Sequence, residues 1–294
     1  MTDEQDFDYV TGFRERLGLP GIIDIHTHFM PDQVLRKVWG YFDAAGPLIG
    51  NREWPITYRD EEQVRLKTLR CFGVRAFTSM IYPHKPDMAA WLNDWSADFA
   101  ARTPDCLHTS TFYPEPSAPA YVRAAIEGGT RIFKLHIQVG DYDPADPRLD
   151  EVWGMVQDAG IPVVMHCGSG PAAGEFTGPE PMKVLLQRFP RLRPIIAHMG
   201  APEYSDFLDL AESYDGVLLD TTMSFTDFFD AADFPTAELP RVRDLGHRIL
   251  FGSDFPNIPY PYGHALFALE RLNLGDDWLR AVCHDNAAAI FDLG

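Results

Sequence analysis

Eight short apolar runs, many rich in β-branched residues and each followed by a polar or Pro/Gly-containing loop and then an amphipathic stretch, limit what this chain can fold into. They are Gly21 to His26, Val74 to Met80, Leu107 to Phe112, Arg131 to His136, Pro162 to His166, Pro194 to His198, Gly216 to Asp220 and Arg248 to Phe251. Helix-period stretches lie between them at Asp60 to Phe72, Met88 to Arg102, Ala118 to Glu127, Leu149 to Ala159, Pro181 to Phe189 and Tyr204 to Tyr214. Strand and helix that alternate at a spacing of roughly thirty residues predict parallel strands joined by helical crossovers.

Alternation alone fits both an open doubly wound sheet and a closed barrel. The ends of the runs separate the two. Five of the eight finish in, or just before, a residue able to bind a metal: His26 with His28, His136, His166, His198, and Asp254 just past Phe251. Carboxyl ends of many different strands converge around one axis only in a barrel. No G-x-G-x-x-G follows the first run, so a dinucleotide fold has no support. The expected fold is therefore a (β/α)8 TIM barrel formed by one domain over residues 1–294. Such a barrel absorbs this length into one core, and the Pro and Gly residues are scattered rather than gathered into a linker. The longest connection, at about 29–60, reads as a long first βα loop carrying Trp39, Tyr41, Phe42 and Trp54 with Arg36, Lys37 and Arg52. A loop there would either contact substrate or pack its own small core.

Composition narrows the partners. A formal charge of -18 repels phosphate backbones and leaves no basic stripe, which excludes nucleic acid. No apolar run approaches the roughly 20 residues of a membrane span. The acidic start, Met1 to Asp6, has neither a cationic segment nor an apolar core of a signal peptide, so the expected location is cytoplasmic. Cys71, Cys106, Cys167 and Cys283 form no C-x-x-C pair and read as ordinary buried thiols. The expected partner is a small-molecule substrate; base rates alone allow a homo-oligomer, and no residue pattern decides the oligomeric state.

His26 and His28 are two apart at the end of Gly21-Ile22-Ile23-Asp24-Ile25, so strand periodicity aims both imidazoles to one side. An H-x-H pair alone is a weak motif. Val163-Val164-Met165-His166 and Pro194-Ile195-Ile196-Ala197-His198 add two apolar strands whose charge-capable residue stands at the terminus, and Gly252-Ser253-Asp254-Phe255-Pro256 follows the last run. Four such signals in register with successive βα units point to a metal site.

This ordered set, H-x-H on the first strand, His on the fifth and sixth, and G-S-D after the eighth, resembles the amidohydrolase superfamily. More narrowly it is similar to the amidohydrolase-related (amidohydrolase 2) family that includes aminocarboxymuconate-semialdehyde decarboxylase. The resemblance runs from Ile22 through Asp254, and Asp285-Asn286-Ala287-Ala288 also looks like that family's ending. It implies that His26, His28, His166 and Asp254 ligate one Zn2+ and leave a position for water, a donor set that suits zinc. It implies that His198 is an acid/base or electrostatic group over the substrate, and that Asp254 can also accept the proton of water.

Lys134 and His136 share parity on the fourth strand and are candidates for contacting substrate. Some superfamily members carry a carboxylated lysine there that bridges two metals; one ion is favoured here, with Lys134 holding an anionic substrate group as a point charge. Asp24 lies one step deeper on the face of His26, where an inward polar residue either orients a ligand or satisfies the barrel floor, and it is read as orienting a ligand. Asp220 shares that ambiguity, and Ser253 reads as part of a turn because no G-x-S-x-G surrounds it. His84, His108, His247, His264 and His284 match no ligand spacing. The leading expectation is a metal-dependent enzyme that hydrolyses a small ester, lactone or amide. The alternative is non-oxidative decarboxylation of a small carboxylic acid, for which Lys134 is the cation at a strand end. A metal-binding barrel without turnover is the remote third.

Overall fold

Among the described residues every one of the eight apolar runs carries a strand, and together they account for nine short strands because one run is broken. In the computed structural model these are β1 (Ile22–Asp24), β2 (Val74–Thr78), β3 (Cys106–Leu107), β4 (Thr109–Ser110), β5 (Ile132–His136), β6 (Val163–His166), β7 (Pro194–Ile196), β8 (Leu218–Asp220) and β9 (Ile249–Leu250). The structure describes residues 3–49, 51–227 and 234–294; Met1 and Thr2 of the acidic start and Gly50 of the long first connection lie outside the described residues. The expected strand Leu107 to Phe112 is the broken one. The Thr109 hydroxyl donates to the Leu107 carbonyl, 3.1 Å, a local bond that competes with the ladder on either side of His108.

The helices follow the expected pattern: Glu62–Cys71, Ala89–Arg102, Ala118–Glu127, Asp150–Ala159, Pro179–Arg188 and Tyr204–Ser213. The fourth of these shows why. It buries Val152, Trp153 and Val156 on one face and stops at Gly160, whose φ of 64° supplies the left-handed cap. One expectation is refined and another needs correction. The long connection at 29–60 after β1 contains ordered elements, since Asp32–Ala44 is a helix and Gly46–Ile49 a 3₁₀ turn; Pro31 precedes the helix, Asp32 favours its first turn, and Leu35 is its buried anchor. Cys71 is exposed rather than buried, because it falls in the last turn of a helix whose buried face is Arg65, Leu66 and Leu69.

The chain forms two compact units, Met1–Thr78 with Thr221–Gly294, and Ser79–Asp220. In the first, β1 and β2 are parallel, with Asp24 opposite Phe77 and an irregularity between Ile22 and Ile23. Past the end of β1 the chain stays paired with the segment after β9. Ile25 N–H donates to Phe251 O (3.0 Å), Asp254 N–H to His26 O (2.9 Å) and His28 N–H to Phe255 O (2.6 Å). In the second unit β4, β5, β6, β7 and β8 are neighbours in chain order and all parallel, with His136 opposite His166 and Ile196 opposite Leu219. Strand residues in both units are nearly all buried, as expected of parallel strands covered on both faces. Among the described residues, no helix is long and apolar enough to cross a membrane.

Candidate metal centre

The paired segments 25–28 and 251–255 place three donors together in the first unit. His26 and His28 are both buried, with ring centroids 5.2 Å apart. The Oδ1 of Asp254 lies 2.9 Å from His28 Nε2 and 3.6 Å from His26 Nε2. One donor atom from each of the three can be chosen so that all lie within 4.8 Å of one another. Asp254 holds a left-handed backbone, φ 74°, which costs a non-glycine residue on the order of 1 kcal/mol. The surrounding bonds impose it: its N–H donates to His26 O, and its carbonyl accepts from Asn257 N–H at 2.8 Å.

Asp24, one step deeper, braces this group as expected. Its Oδ2 accepts from the Ser253 hydroxyl (2.6 Å) and the Tyr262 hydroxyl (2.9 Å), and its Oδ1 accepts from the backbone N–H of Ser253 (3.1 Å) and of His26 (3.3 Å). Asp24 therefore fixes the residue before one carboxylate donor and the backbone of one imidazole donor. Complete burial pushes its carboxyl up to about 7, against the lowering effect of the Ser253 and Tyr262 hydroxyls. Ser253 also accepts from Phe255 N–H at 2.9 Å, which makes it a buried turn brace, as its sequence context suggested.

A second group of imidazoles forms in the other unit. The register of β5 and β6 sets His136 against His166, and their rings stack at 4.0 Å with 12° between planes. His198 meets His166 edge-on at 4.7 Å, and Tyr82 packs on His136 at 4.9 Å. His166 Nε2 lies 3.1 Å from Gly170 O; a carbonyl can only accept, so that nitrogen carries the proton in this arrangement. His136 Nδ1 accepts from Val139 N–H at 3.3 Å. His198 is not the last residue of a strand, because β7 ends at Ile196 and both His198 (φ 54°) and Met199 (φ 50°) are left-handed. Asp220, at the end of β8, holds that turn: its Oδ1 accepts from His198 N–H at 2.9 Å. Lys134 is fully buried, and its charge opposes the rise that burial imposes on the Cys167 thiol. Cys167 is accordingly an inert buried thiol.

Two imidazoles and one carboxylate, buried and within reach of a common point, are a donor set that fits a divalent ion, zinc or manganese included. The structure thus gathers His26, His28 and Asp254 into one group, and His136, His166 and His198 into another. Sequence reasoning missed Asn257 and Tyr262. Asn257 is tied to both indoles of the first connection, accepting from Trp39 Nε1–H at its side chain (3.0 Å) and from Trp54 Nε1–H at its backbone carbonyl (2.6 Å). Its position three residues after Asp254 was the available signal. Tyr262 carried none, since a tyrosine in an apolar helix reads as core.

The sequence model of the amidohydrolase family matches residues 23–293, and the chain belongs to that family. No curated protein matches it. A TIM-barrel protein of Bordetella bronchiseptica is similar in structure, with a TM-score of 0.71 and 19% identity over 92% of this chain and 98% of that one. The 5-carboxyvanillate decarboxylase of Sphingomonas paucimobilis has a TM-score of 0.64 and 16% identity over 93% of this chain and 99% of that one. A probable 2-pyrone-4,6-dicarboxylic acid hydrolase of Acinetobacter baumannii has a TM-score of 0.60 and 15% identity over 92% and 99%. The fold class is the (β/α)8 barrel of the amidohydrolases, and the chain is an enzyme of a family that includes both hydrolases and carboxy-lyases and uses a divalent metal.

Proposed function

We propose that this chain is a single-domain, zinc-dependent hydrolase of a small-molecule ester, lactone or amide. The observation that carries the reading is the buried His26–His28–Asp254 group, in which one carboxylate oxygen faces two imidazole nitrogens. His166 completes the ligand set, and His198 is the acid–base group, each by its place in the family's motif order. A single zinc ion held there supplies Lewis-acid polarisation of a carbonyl and lowers the pKa of water to about 7.

The chain's own residues do the rest. Asp254 accepts a proton from the attacking water, and its strained backbone keeps the carboxylate aimed at the two imidazoles. Asp24 and Ser253 hold Asp254 against drift. His198, kept in its left-handed turn by Asp220, delivers a proton to the leaving group. Lys134 and His136 contact the substrate, with Lys134 acting as a point charge toward an anionic group. The same buried ammonium favours the second reading, decarboxylation of a small carboxylic acid, because a carboxylate substrate needs a cation to grip it. Four cysteines without a disulfide suit a reducing compartment, and we place the enzyme in the cytoplasm.

The test is elemental analysis of the wild type and of His166→Ala, Lys134→Ala and His198→Ala, followed by product analysis on an ester, lactone and carboxylic acid panel. About one equivalent of zinc, lost with His166→Ala and kept in the other two, supports the ligand set. Two equivalents that depend on Lys134 move the mechanism to a bridged pair. Carbon dioxide release without net addition of water overturns hydrolysis in favour of the lyase, and no stoichiometric metal overturns both.

A further inference from the structure

Arg65 sits where a hydrophobic residue would be cheaper. It lies on the buried face of the helix Glu62–Cys71 at 1% exposure, and its Nε and Nη1 find no hydrogen-bond partner among the described residues. Burial of a guanidinium without partners for its N–H groups is costly, and an apolar side chain of similar volume at such a site is often neutral or stabilising. Burial depresses the Arg65 pKa, while the acidic side chains of Glu62, Asp32 and Asp60 favour its charged form.

What the guanidinium faces is aromatic. Its central carbon lies 5.1 Å from the ring of Phe29 and 5.8 Å from that of Trp39, within cation–π range of both. Phe29 is the residue after His28. Trp39 donates its indole N–H to Asn257 Oδ1 at 3.0 Å, and Asn257 donates its backbone N–H to the carbonyl of Asp254 at 2.8 Å. Asp254 Oδ1 then returns to His28 Nε2 at 2.9 Å. The path is closed: His28, Phe29, Arg65, Trp39, Asn257, Asp254 and back to His28. Arg65 is the link that joins its two halves, one coming from the first histidine pair and the other from the carboxylate after β9. Arg59 also lies over Trp39, at 5.5 Å, but it is exposed and paired with Asp43.

We propose that Arg65 is a positioning residue that clamps Phe29 against Trp39 and so holds His28 and Asp254 at the spacing a divalent ion requires. The inference rests on the metal reading of His26, His28 and Asp254, and its test includes a measurement that does not depend on metal. Its signature is a split between stability and site geometry. A purely structural arginine, once replaced, would change stability alone; a clamp would loosen the metal group even where the apolar replacement leaves the fold as stable as before.

The experiment compares wild type, Arg65→Met and Arg65→Lys, all stripped of metal, in two measurements. The first is Co2+ titration followed by d–d absorption. Arg65→Met should bind Co2+ roughly 10-fold more weakly with an altered spectrum, the range seen when groups supporting metal ligands are removed, while its thermal midpoint holds or rises. Arg65→Lys, which keeps a cation over the rings but not the stacked guanidinium plane, should recover part of the affinity. The second is amide hydrogen exchange in metal-free protein. His28 and Asn257, whose N–H groups bond Phe255 O and Asp254 O, should exchange on the order of 10-fold faster in Arg65→Met, while strand amides of β5 and β6 are unchanged. Wild type that takes up no Co2+ would sink the metal reading, and exchange would still decide the clamp. Exchange and Co2+ affinity within about twofold of wild type in Arg65→Met would overturn the proposal. Should that variant fail to fold, the same two readouts on Arg65→Gln, which also removes the cation, decide it, with changes of roughly threefold or more expected and values within about twofold of wild type refuting it.

Discussion

Asp24 offers a sharp test of how the carboxylate donor is held in place. Replacement by alanine removes the acceptor of four donors: the Ser253 and Tyr262 hydroxyls, the Ser253 backbone N–H, and the longer bond from His26 N–H. Every one of these is buried, and a buried donor left without an acceptor costs about 1–3 kcal/mol. The three shorter bonds dominate, which gives a gross loss of about 3–9 kcal/mol. Part of this is offset, because the carboxyl is itself strained by burial, with its titration pushed up to about 7. The net expectation for Asp24→Ala is a destabilisation of about 3 kcal/mol or more, together with loss of metal content, since Asp254 no longer has a fixed neighbour. Asp24→Asn keeps one carbonyl for the two backbone donors and turns its amide toward hydroxyls that can rotate to accept, so about 1 kcal/mol is expected. Urea unfolding of metal-free protein and elemental analysis of the loaded protein measure the two effects. Asp24→Ala within about 1 kcal/mol of wild type and fully loaded with metal would refute this account.

Two further outcomes follow from the second unit. Asp220→Ala should lower kcat by about tenfold or more with only a small change in KM, because the left-handed turn at His198 loses its anchor, and Asp220→Asn, which keeps an acceptor, should recover most of it; equal kcat in all three would show that the anchor is dispensable. His108 is pulled below its usual 6.5 by burial, so the unfolded chain binds a proton before the folded one does. Its contribution to stability is therefore present above pH 6.5 and is lost as pH falls through the folded value. His108→Gln should flatten the fall in thermal midpoint over that acidic range, and an unchanged slope would assign it to other groups.

How much could be read without coordinates depends on the range of the interaction concerned. The strands were legible because each is a buried apolar run with its own periodicity, and the H-x-H, strand-end histidines and G-S-D stood out as polar residues at the limits of such runs. Helix boundaries came within a few residues for the same local reason, as at Ala118–Glu127. The helix Asp32–Ala44 was not legible, because its aromatic residues fit a loop core equally well. His198 was expected on a strand, and nothing in Ala197-His198-Met199 announces a left-handed turn that an aspartate at the end of β8 holds in place.

The sequence by itself determined which residue types stand at the strand ends, and with them the family, the fold class and the donor chemistry. Only the tertiary structure decided which oxygen of Asp254 faces which imidazole, that Tyr262 joins Asp24 in bracing that group, and that a buried arginine lies between Phe29 and Trp39. The physical reason is that periodicity and propensity act over a few residues, whereas these bonds join positions some thirty to two hundred and forty residues apart. Burial alone gives such bonds their energy, and burial is a property of the folded chain.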